Sequence, residues 1–479
     1  MAMTDGEKGK PDMEAVSAAA GKESGRFNRR AVKVSEAQRL VLEAAGGLVC
    51  GSELVPLQAI GGRRLAQSLQ ATSDWPPFTR AGLDGYAVRA ADTALATADE
   101  PAALRVIAAV AAGELAPAPV QPGTAARIMT GAAVPEGADA VVMLEQTAEA
   151  VLADGSAAVL IKRAAVPGQN VAPQGEELRL GSALAVPGTL LRPGHAAMLG
   201  SFGYAEVPVR KRPRVAIFAT GSELLPVGAP LAAGKIRDSN SPMVAAMAEQ
   251  SGAVPLLFGT LPDEPAAVAA ALARIWDDAD LIVTTGGVSV GDYDVMAEIM
   301  ATIKRGEGMS KLFAGDMALP LGSNRLERNN AKENGGIEHA WAEKLLFDRV
   351  AMRPGSPTSA AQLGNKLLFA LSGNPSACFV GFELFVRPAL LRIAGASAED
   401  VLPQRVSALL SAAIDKPSPH DRYVRSRLRF ENGRLLAEPL MYAKSSMMAS
   451  LAEANALAVI PGGARGALAG DLVELLLLP

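Results

Sequence analysis

A chain of 479 residues is too long for a single hydrophobic core, so its length predicts about three domains. The formal charge of −4, with basic residues dispersed along the chain, excludes the electrostatic pattern of a protein that binds nucleic acid or an anionic membrane surface. The two cysteines lie far apart, no apolar run reaches the ~20 residues of a membrane span, and residues 1–32 lack a signal-peptide core, so we expect a soluble, cytoplasmic protein.

The N-terminal part of the chain predicts a tail, one helix and a β-rich region. Residues 1–32 are rich in Ala, Gly, Lys and Glu, which is typical of a disordered tail. Apolar residues at helical spacing predict a helix over 34–45, and Gly46 and Gly47 end it. Over 104–171, short apolar segments alternate with Gly and Pro turns, which predicts a compact β domain.

Two polar residues in this region are candidates for binding a ligand. Asp84 precedes Gly85 in a loop that Trp75 and Phe78 anchor, so its carboxylate is placed where backbone can approach a ligand closely. The alternative is an ordinary turn aspartate in an Asp-Gly pair, which is the commoner case. Thr130 falls at the end of a predicted strand, where its hydroxyl suits an anion or a ribose.

From residue 215, strands and helices alternate, which predicts a mostly parallel sheet with helices on both faces. The predicted strands are 215–219, 254–258 and 281–283, and the predicted helices are 242–250, with Asn240 or Ser241 as N-cap, and 265–276. Ligands bind beyond the carboxyl ends of such strands. The polar residues that fall at this edge are Ser222, Glu223, Asp238, Ser239 and those of the loop 286–294.

The stretch 281–294 carries the strongest chemical signal. A buried strand runs into Gly286 and Gly287, whose missing side chains let backbone N–H groups approach an anion. Hydroxyl groups flank the turn, and Asp292 and Asp294 add two carboxylates. Phosphate donors beside oxygen ligands for a hard cation predict a nucleotide or phosphorylated cofactor with Mg²⁺. The alternative is a glycine-rich turn with solvated acids.

The rest of the chain predicts an interruption, a return of the sheet, and a final β domain. The polar segment 302–343 is expected to be a surface insertion. A strand over 348–352 leads to a Pro-rich turn, and a second strand–turn–helix unit over 367–385 is expected to point a helix N-terminus at an anion. Alternating segments from 401 onward predict a small C-terminal β domain, with Ser445 in one of its loops.

Six motifs in one order resemble a known family. They are LDGYAV at 83–88, RIMTGAAVPEGAD at 127–139, TGSEL at 220–224, RDSN at 237–240, TGGVSVGDYD at 285–294 and GNP at 373–375. Together, over residues 33–479, the chain is similar to the molybdopterin molybdenumtransferase family, which includes MoeA and the E domain of gephyrin.

The resemblance implies a multidomain α/β fold: an α/β/α molybdopterin-binding-like domain with a mostly parallel sheet, β-rich domains, and a C-terminal β-barrel-like domain. The division it implies is a discontinuous linker domain (33–70 with 172–205), whose helix 34–45 packs on the α/β domain, an inserted β domain (71–171), the α/β/α domain (206–398, with the insertion 302–343) and the C-terminal β domain (399–479).

The resemblance also implies an activity and its ligands. Family members insert molybdate into adenylylated molybdopterin with Mg²⁺ and release AMP, acting as homodimers with a site shared between chains. For this chain the implied ligands are Mg²⁺, adenylylated molybdopterin and molybdate. A molybdopterin adenylyltransferase and molybdoenzymes are the implied protein partners.

Position by position, the resemblance implies five catalytic residues. They are Asp84, Thr130, Glu206, Asp238 and Asp294, with Asp238 and Asp294 as metal ligands and with Asp84 and Thr130 reaching the site from the partner chain. The implied cofactor-binding residues are Thr220, Gly221, Ser222, Ser239, Asn240, Thr285, Gly286, Gly287, Ser289, Gly291, Arg353, Pro354, Gly355, Pro357, Gly373, Asn374 and Ser445.

Three departures from the family pattern bear on activity. Ser356 stands where the family turn carries lysine, Ala377 stands where a serine is frequent, and Arg353 replaces a common lysine. An oxyanion pocket short of a cation and a hydroxyl binds more weakly, by on the order of 1.5–3 kcal/mol for each charge-assisted bond that is lost. The alternative to an active transferase is therefore a weakened paralogue that binds molybdopterin or delivers it to a target enzyme.

Overall fold

The first helix packs away from its neighbours in sequence. The computed structural model of the protein describes residues 31–288, 294–306, 343–440, 448–463 and 466–479. Helix α1 (Val34–Gly46) buries an apolar side that includes Val34, Val41 and Ala45. These side chains belong to the same core cluster as strands beyond residue 214, so α1 packs on the later α/β sheet.

The N-terminal half contains a six-stranded β sheet, and the segments that precede and follow this sheet in the chain pair with each other. Its strands are β1 (Ser52–Pro56), β2 (Leu69–Gln70), β3 (Arg80–Ala81), β4 (Gly85–Val88), β5 (Ala102–Val110), β6 (Thr124–Ile128), β7 (Ala140–Met143), β8 (Thr147–Val151), β9 (Ala157–Ile161), β10 (Val171–Ala172), β11 (Ala183–Ala185) and, after helix α2 (Pro193–Ser201), β12 (Glu206–Arg210). Antiparallel pairs β1–β12, β2–β11 and β3–β10 join the chain before and after the six-stranded sheet β7-β4-β6-β5-β9-β8.

The second half begins with an α/β unit. Its elements are β13 (Arg214–Thr220), β14 (Leu224–Leu225), β15 (Ile236–Arg237), α3 (Asn240–Gln250), β16 (Val254–Leu261), α4 (Pro265–Arg274), β17 (Leu281–Thr285), α5 (Val295–Lys304), β18 (Glu343–Phe347), β19 (Met352–Arg353), β20 (Ser359–Leu363), β21 (Lys366–Leu371), α6 (Pro375–Gly381), a π-helix (Phe382–Val386) and α7 (Arg387–Ile393). The sheet order is β16-β13-β17-β21-β20-β18, with the first four strands parallel.

Both faces of this sheet are covered, as expected for parallel strands. Along β13, Val215 and Ile217 belong to the core on one face, and Ala216 and Phe218 belong to the core on the other. Residues from α1, α3, α6 and α7 fill the first core, and residues from α4 and α5 fill the second. The two-residue period of the strand thus builds a three-layer α/β/α unit, which confirms the predicted fold class.

The C-terminal strands close into a barrel. They are β22 (Arg405–Leu410), β23 (Asp421–Glu431), β24 (Arg434–Pro439), β25 (Ala456–Ile460) and β26 (Leu472–Leu477). The pairing order β23-β24-β22-β26-β25 is completed by β23–β25, so the five strands have no free edge within the ring. Strand β19, which leaves the α/β unit between β18 and β20, adds to β23 in parallel.

Several sequence predictions need correction. Helix α3 begins at Asn240, so the prediction of Asn240 or Ser241 as its N-cap was wrong. The backbone N–H of Ser241 donates to the Asp238 carboxylate at 3.1 Å, which caps the helix. The interruption is also shorter than predicted, because α5 continues to Lys304 and β18 begins at Glu343. The strand predicted over 348–352 is reduced to β19, since residues 348–351 turn the chain toward the barrel.

None of the helices in the ranges given above is long and apolar enough to cross a membrane.

One buried ion pair ties the helices on the first face together. Arg387 and Glu383 form two hydrogen bonds of 2.7 Å, and their side chains are 7% and 2% exposed. The Arg387 guanidinium also donates to the hydroxyl of Ser251, which follows α3, at 2.7 Å. The pair therefore links α7, the π-helix and the end of α3.

We expect Glu383→Gln to destabilise the fold by about 3–5 kcal/mol, because it leaves the Arg387 guanidinium buried without its counter-charge. Urea unfolding followed by circular dichroism measures the effect as a lower midpoint. Glu36→Gln, in the exposed pair of Glu36 and Arg39, is the matched control and should leave the midpoint nearly unchanged. Equal midpoints for the two variants would contradict the role of the buried pair.

Candidate functional site

A cleft of about 860 Å³ lies where the carboxyl ends of β13, β17 and β21 face the C-terminal barrel. On the α/β side it is lined by residues that directly follow these strands. On the opposite side it is lined by the turn 353–357 and by residues 416–425 of the barrel. The predicted site residues in its wall are Thr220, Gly221, Ser222, Asn240, Thr285, Gly286, Gly287, Asp294, Arg353, Pro354, Gly355, Pro357, Gly373 and Asn374.

Two glycines allow the loops after β13 and β17 to meet. Gly286 and Gly287 have φ angles of 94° and 63°, which L side chains rarely adopt. A Cβ atom on Gly286 would lie 2.5 Å from the carbonyl oxygen of Thr220, and one on Gly287 would lie 2.8 Å from its hydroxyl. The glycines are therefore required by close backbone packing, and the same packing exposes a bare backbone to the cleft.

Polar side chains at the floor of the cleft retain unused hydrogen-bonding atoms. Thr285 is 1% exposed, and its hydroxyl oxygen has no partner among the residues that the structure describes. The side chain of Asn240 donates to the carbonyl oxygen of Gly373 at 2.8 Å, while its own buried amide oxygen is likewise unpartnered there. Because an unsatisfied buried polar atom costs free energy, these atoms are candidates for contacts with a bound molecule.

Carboxylates gather on the α/β side of the cleft. Glu223 follows β13, Asp263 follows β16, and Asp294 directly precedes α5; all three line the cleft. Within the described ranges, no group of three or more His, Cys, Asp or Glu side chains is arranged to hold a metal ion by protein ligands alone. Among these residues, the acidic side of the cleft therefore offers carboxylates without a preformed three-ligand metal site.

Basic groups gather on the opposite side of the cleft. They are Arg349, Arg353, Lys416, Arg422 and Arg425. Burial lowers the pKa of Arg425, and burial together with the nearby charge of Arg353 lowers the pKa of Arg422. The cleft is thus bipolar, with acidic groups at the sheet edge and guanidinium groups at the barrel.

Ser356, which stands where the family turn carries lysine, uses its hydroxyl locally. The hydroxyl donates to the carbonyl oxygen of Val350 at 2.8 Å and accepts a hydrogen bond from Arg349 at 3.2 Å. Ala377 also lines the cleft and supplies no polar group. The positive charge at this turn therefore comes from Arg349 and Arg353.

Three predicted residues, Asp238, Ser239 and Glu206, lie away from the cleft wall within one chain. Asp238 uses a carboxylate oxygen to cap α3 and does not line the cleft, whereas Asp294 does. The hydroxyl of Ser239 lies 3.4 Å from the sulfur of Met448. Glu206 begins β12, is exposed, and does not line the cleft. Ser222 is retained, but its carbonyl oxygen accepts a bond from Lys235.

Asp84 and Thr130 form a separate exposed pair. A single carboxylate oxygen of Asp84 accepts from the backbone N–H and from the hydroxyl of Thr130, both at 2.7 Å. These two hydrogen bonds, the backbone one first, lower the pKa of Asp84. The pair does not line the cleft of its own chain. Ser289, Gly291, Asp292 and Ser445 lie outside the described residues.

Sequence reasoning found Arg353 but missed the rest of the basic wall and part of the acidic one. Glu223 was placed at the sheet edge without a role, and Asp263 was overlooked because the strand before it, β16, continues to Leu261, beyond its predicted end at 258. Placing every acid that directly follows a parallel strand would have found both. Lys416 and Arg422 carry no comparable signal, because their place in the cleft depends on how the barrel docks.

The fold and cleft together define a class of protein. It is a multidomain α/β protein whose cleft presents bare backbone, carboxylates and guanidinium groups to one small, multiply charged ligand. Three family models match the chain: "MoeA N-terminal region (domain I and II)" over residues 32–203, "Probable molybdopterin binding domain" over 216–330, and "MoeA C-terminal region (domain IV)" over 407–478.

Individual relatives agree with these matches. A "Molybdopterin molybdenumtransferase" of Bacillus subtilis (strain 168) is 41% identical over 428 residues, which cover 89% of this chain and 90% of that protein. Its counterpart in Staphylococcus aureus (strain COL) is 37% identical over 86% of this chain and 88% of its own. The crystal structure of the molybdopterin biosynthesis moeA protein from Pyrococcus horikoshii OT3 superposes with a TM-score of 0.72 at 30% identity, covering 94% of this chain and all of that one. The chain therefore belongs to the MoeA family of molybdopterin molybdenumtransferases, as its six motifs predicted.

We expect Thr130→Val to raise the pKa of Asp84 toward the ordinary aspartate value, because the variant removes one of the two hydrogen bonds to the carboxylate. The stability that comes from a lowered carboxyl pKa is present above the unfolded-state pKa and is lost as pH falls through the folded-state pKa. Because the folded-state pKa of Asp84 is higher in the variant, the variant should lose this stability at a higher pH than the wild type does. NMR titration of the Asp84 carboxyl carbon measures the shift. Thr124→Val, in the same sheet, is the control; an unchanged Asp84 pKa in Thr130→Val would contradict the assignment.

Proposed function

We propose that this chain inserts molybdate into adenylylated molybdopterin in a Mg²⁺-dependent reaction that releases AMP. The observation that carries the proposal is the bipolar cleft, whose acidic, glycine-lined side and arginine-lined side face the same cavity. A nucleotide phosphate with a hard cation suits the first side, and an oxyanion suits the second. The relatives' names supply the pterin, which the geometry alone does not identify.

The phosphate end of the substrate is proposed to lie at the sheet edge. There, Gly286 and Gly287 bring backbone close to the cleft, and the Thr285 hydroxyl and the Asn240 amide offer unpartnered polar atoms. Holding the phosphoanhydride in one orientation is the main contribution that such groups make to its cleavage.

The donor set near this end fits magnesium. Glu223, Asp263 and Asp294 provide carboxylate oxygens, the ligands that Mg²⁺ prefers, and within the described part of the chain no three such groups lie together as a metal site. Mg²⁺ usually combines one or two carboxylates with substrate phosphates and water, so this shortage agrees with a metal that arrives with the substrate. When bound, the ion would neutralise charge on the phosphate oxygens.

A second chain is proposed to complete the site. Asp84 and Thr130 are exposed and lie outside the cleft of their own chain, with a geometry held by two hydrogen bonds. The edge strand β16 leaves Leu257 and Phe258 58% and 39% exposed, and exposed apolar residues on an edge strand favour coverage by another chain. A homodimer in which each chain lends Asp84 to its partner accounts for both features. A molybdopterin adenylyltransferase would supply the substrate, and molybdoenzymes would accept the product.

One observation favours the second candidate function, a paralogue that binds molybdopterin and delivers it without turnover. Ser356 gives the turn beside the cleft only a neutral hydroxyl, which already donates to Val350. Ala377 adds no polar group to the cleft. Arg349 and Arg353 offset the missing lysine in charge, and this favours the active enzyme.

We expect purified protein with adenylylated molybdopterin, molybdate and Mg²⁺ to release AMP and form molybdenum cofactor. Excess EDTA should abolish AMP release, and added Mg²⁺ should restore it, because the carboxylates cannot position the phosphates without a cation. AMP is measured by chromatography and cofactor by reconstitution of a molybdoenzyme. Tight molybdopterin binding without AMP release would favour the delivery function instead.

The shared site predicts complementation between inactive chains. Asp84→Asn and Asp294→Asn should each abolish activity, yet random co-assembly of the two should restore about a quarter of it, since half the dimers are mixed and one of their two sites is intact. Turnover of co-expressed, co-purified chains measures this. A mixture of Asp84→Asn with Thr124→Val, whose substitution lies outside the site, is the control. It shows the activity expected when one of the two chains is fully functional. No recovery in the mixture of two variants that are each inactive alone would mean that Asp84 and Asp294 of one chain serve the same site, and undiminished turnover by Asp84→Asn alone would mean that Asp84 has no part in the reaction.

A further inference from the structure

Two arginines are placed directly opposite each other where the α/β unit meets the barrel. In the parallel pairing of β19 with β23, Arg353 is in register with Arg422, and both line the cleft. Like charges at directly opposed positions on neighbouring strands destabilise a sheet. A fold that maintains this pairing therefore carries a cost that a bound anion would relieve.

The surroundings do not neutralise this pair. No ion pair joins Arg353 or Arg422 to a carboxylate in the part of the chain that the structure describes. The carboxylate next to Arg422 in sequence, Asp421, accepts a hydrogen bond from the backbone of Gly462 at 2.8 Å. Burial and the charge of Arg353 lower the pKa of Arg422, as expected for two guanidinium groups that repel each other in a partly desolvated position.

A structural role accounts for only part of Arg422. One of its terminal nitrogens donates to the carbonyl oxygen of Lys416 at 2.7 Å and so holds the loop before β23. A guanidinium carries five N–H donors in a fork, and one such bond leaves others available on the side that lines the cleft. A neutral side chain could make the same hydrogen bond to the loop without placing a second positive charge opposite Arg353.

We propose that Arg422 acts with Arg353 as a two-guanidinium clamp for a tetrahedral dianion, and that Arg422 sets the preference of the cleft for a dianion over a monoanion. This inference rests on the proposed function, because it places the oxyanion substrate at the barrel side of the cleft. Its physical basis is that the attraction of each added cation scales with the charge of the ion, so a second guanidinium favours an ion of charge −2 over one of the same shape with charge −1. The planar fork of each guanidinium matches pairs of oxyanion oxygens.

The test uses two tetrahedral ions alone, tungstate (−2) and perrhenate (−1), titrated calorimetrically into the full-length protein without pterin. The wild type should bind tungstate more tightly than perrhenate. Arg422→Gln should weaken tungstate binding by about tenfold or more, since it removes a charge-assisted contact. Perrhenate binding should weaken by only about threefold, because the Coulomb term is halved.

Two further variants separate this role from a structural one. Arg422→Lys keeps the charge and should retain the preference for tungstate. Arg429→Gln removes an arginine from the same strand whose side chain pairs with Glu438, outside the cleft, and should change neither affinity. Equal weakening of both ions in Arg422→Gln, a similar loss in Arg429→Gln, or absence of tungstate binding by the wild type would each overturn the clamp. Turnover measured on the same preparations tests the proposed function separately. AMP release by Arg422→Gln at the wild-type rate would support the proposed reaction and contradict only the clamp.

Discussion

The pairing of β19 with β23 is the interaction on which the cleft depends. The chain leaves the α/β sheet after β18, contributes two residues to the barrel, and returns as β20. Its backbone hydrogen bonds join two units that also share side-chain packing, because Tyr423, Leu457 and Leu476 of the barrel belong to the core on the first face of the α/β sheet. The short strand thus holds the turn 353–357 and the basic barrel surface beside the glycine-lined sheet edge.

The two walls of the cleft are built by different physical means. At the sheet edge, the close approach of Gly286 to Thr220 excludes side chains and leaves backbone groups and buried hydroxyls facing the cavity. At the barrel, long basic side chains reach the cavity from strands and turns whose own packing lies elsewhere. The first wall suits a ligand group held tightly by fixed geometry, and the second suits a group held by charge.

This construction places unfavourable contacts where function needs them. Opposed arginines and unpartnered buried polar atoms each lower stability, while Arg387 and Glu383 show that the same chain pairs buried charges elsewhere. A cleft that presents charged groups of both signs suits the ligand we propose, which carries a phosphate, a cation and an oxyanion. Membership of the MoeA family identifies molybdopterin as the substrate, and we propose which side chains of the cleft meet each part of it.

The sequence by itself determined the strand–helix alternation, the glycine turn after β17 and the family. These depend on local patterning and on motifs such as Thr285–Asp294, which are readable without knowing what packs against them. It also led to errors where a local rule had two outcomes. The start of α3 is an example: Asn240 or Ser241 was predicted as its N-cap, yet the helix begins at Asn240 and the Asp238 carboxylate binds the N–H of Ser241.

Only the tertiary structure decided which charges share the cleft. Arg422 lies far from Arg353 in sequence and becomes its neighbour through a two-residue strand pairing that no periodicity announces. Asp263 and Glu223 likewise share the cleft with Asp294 because parallel strands end at one edge. Residues joined by long-range packing are specified by the whole fold, and short-range sequence patterns carry no information about such distances.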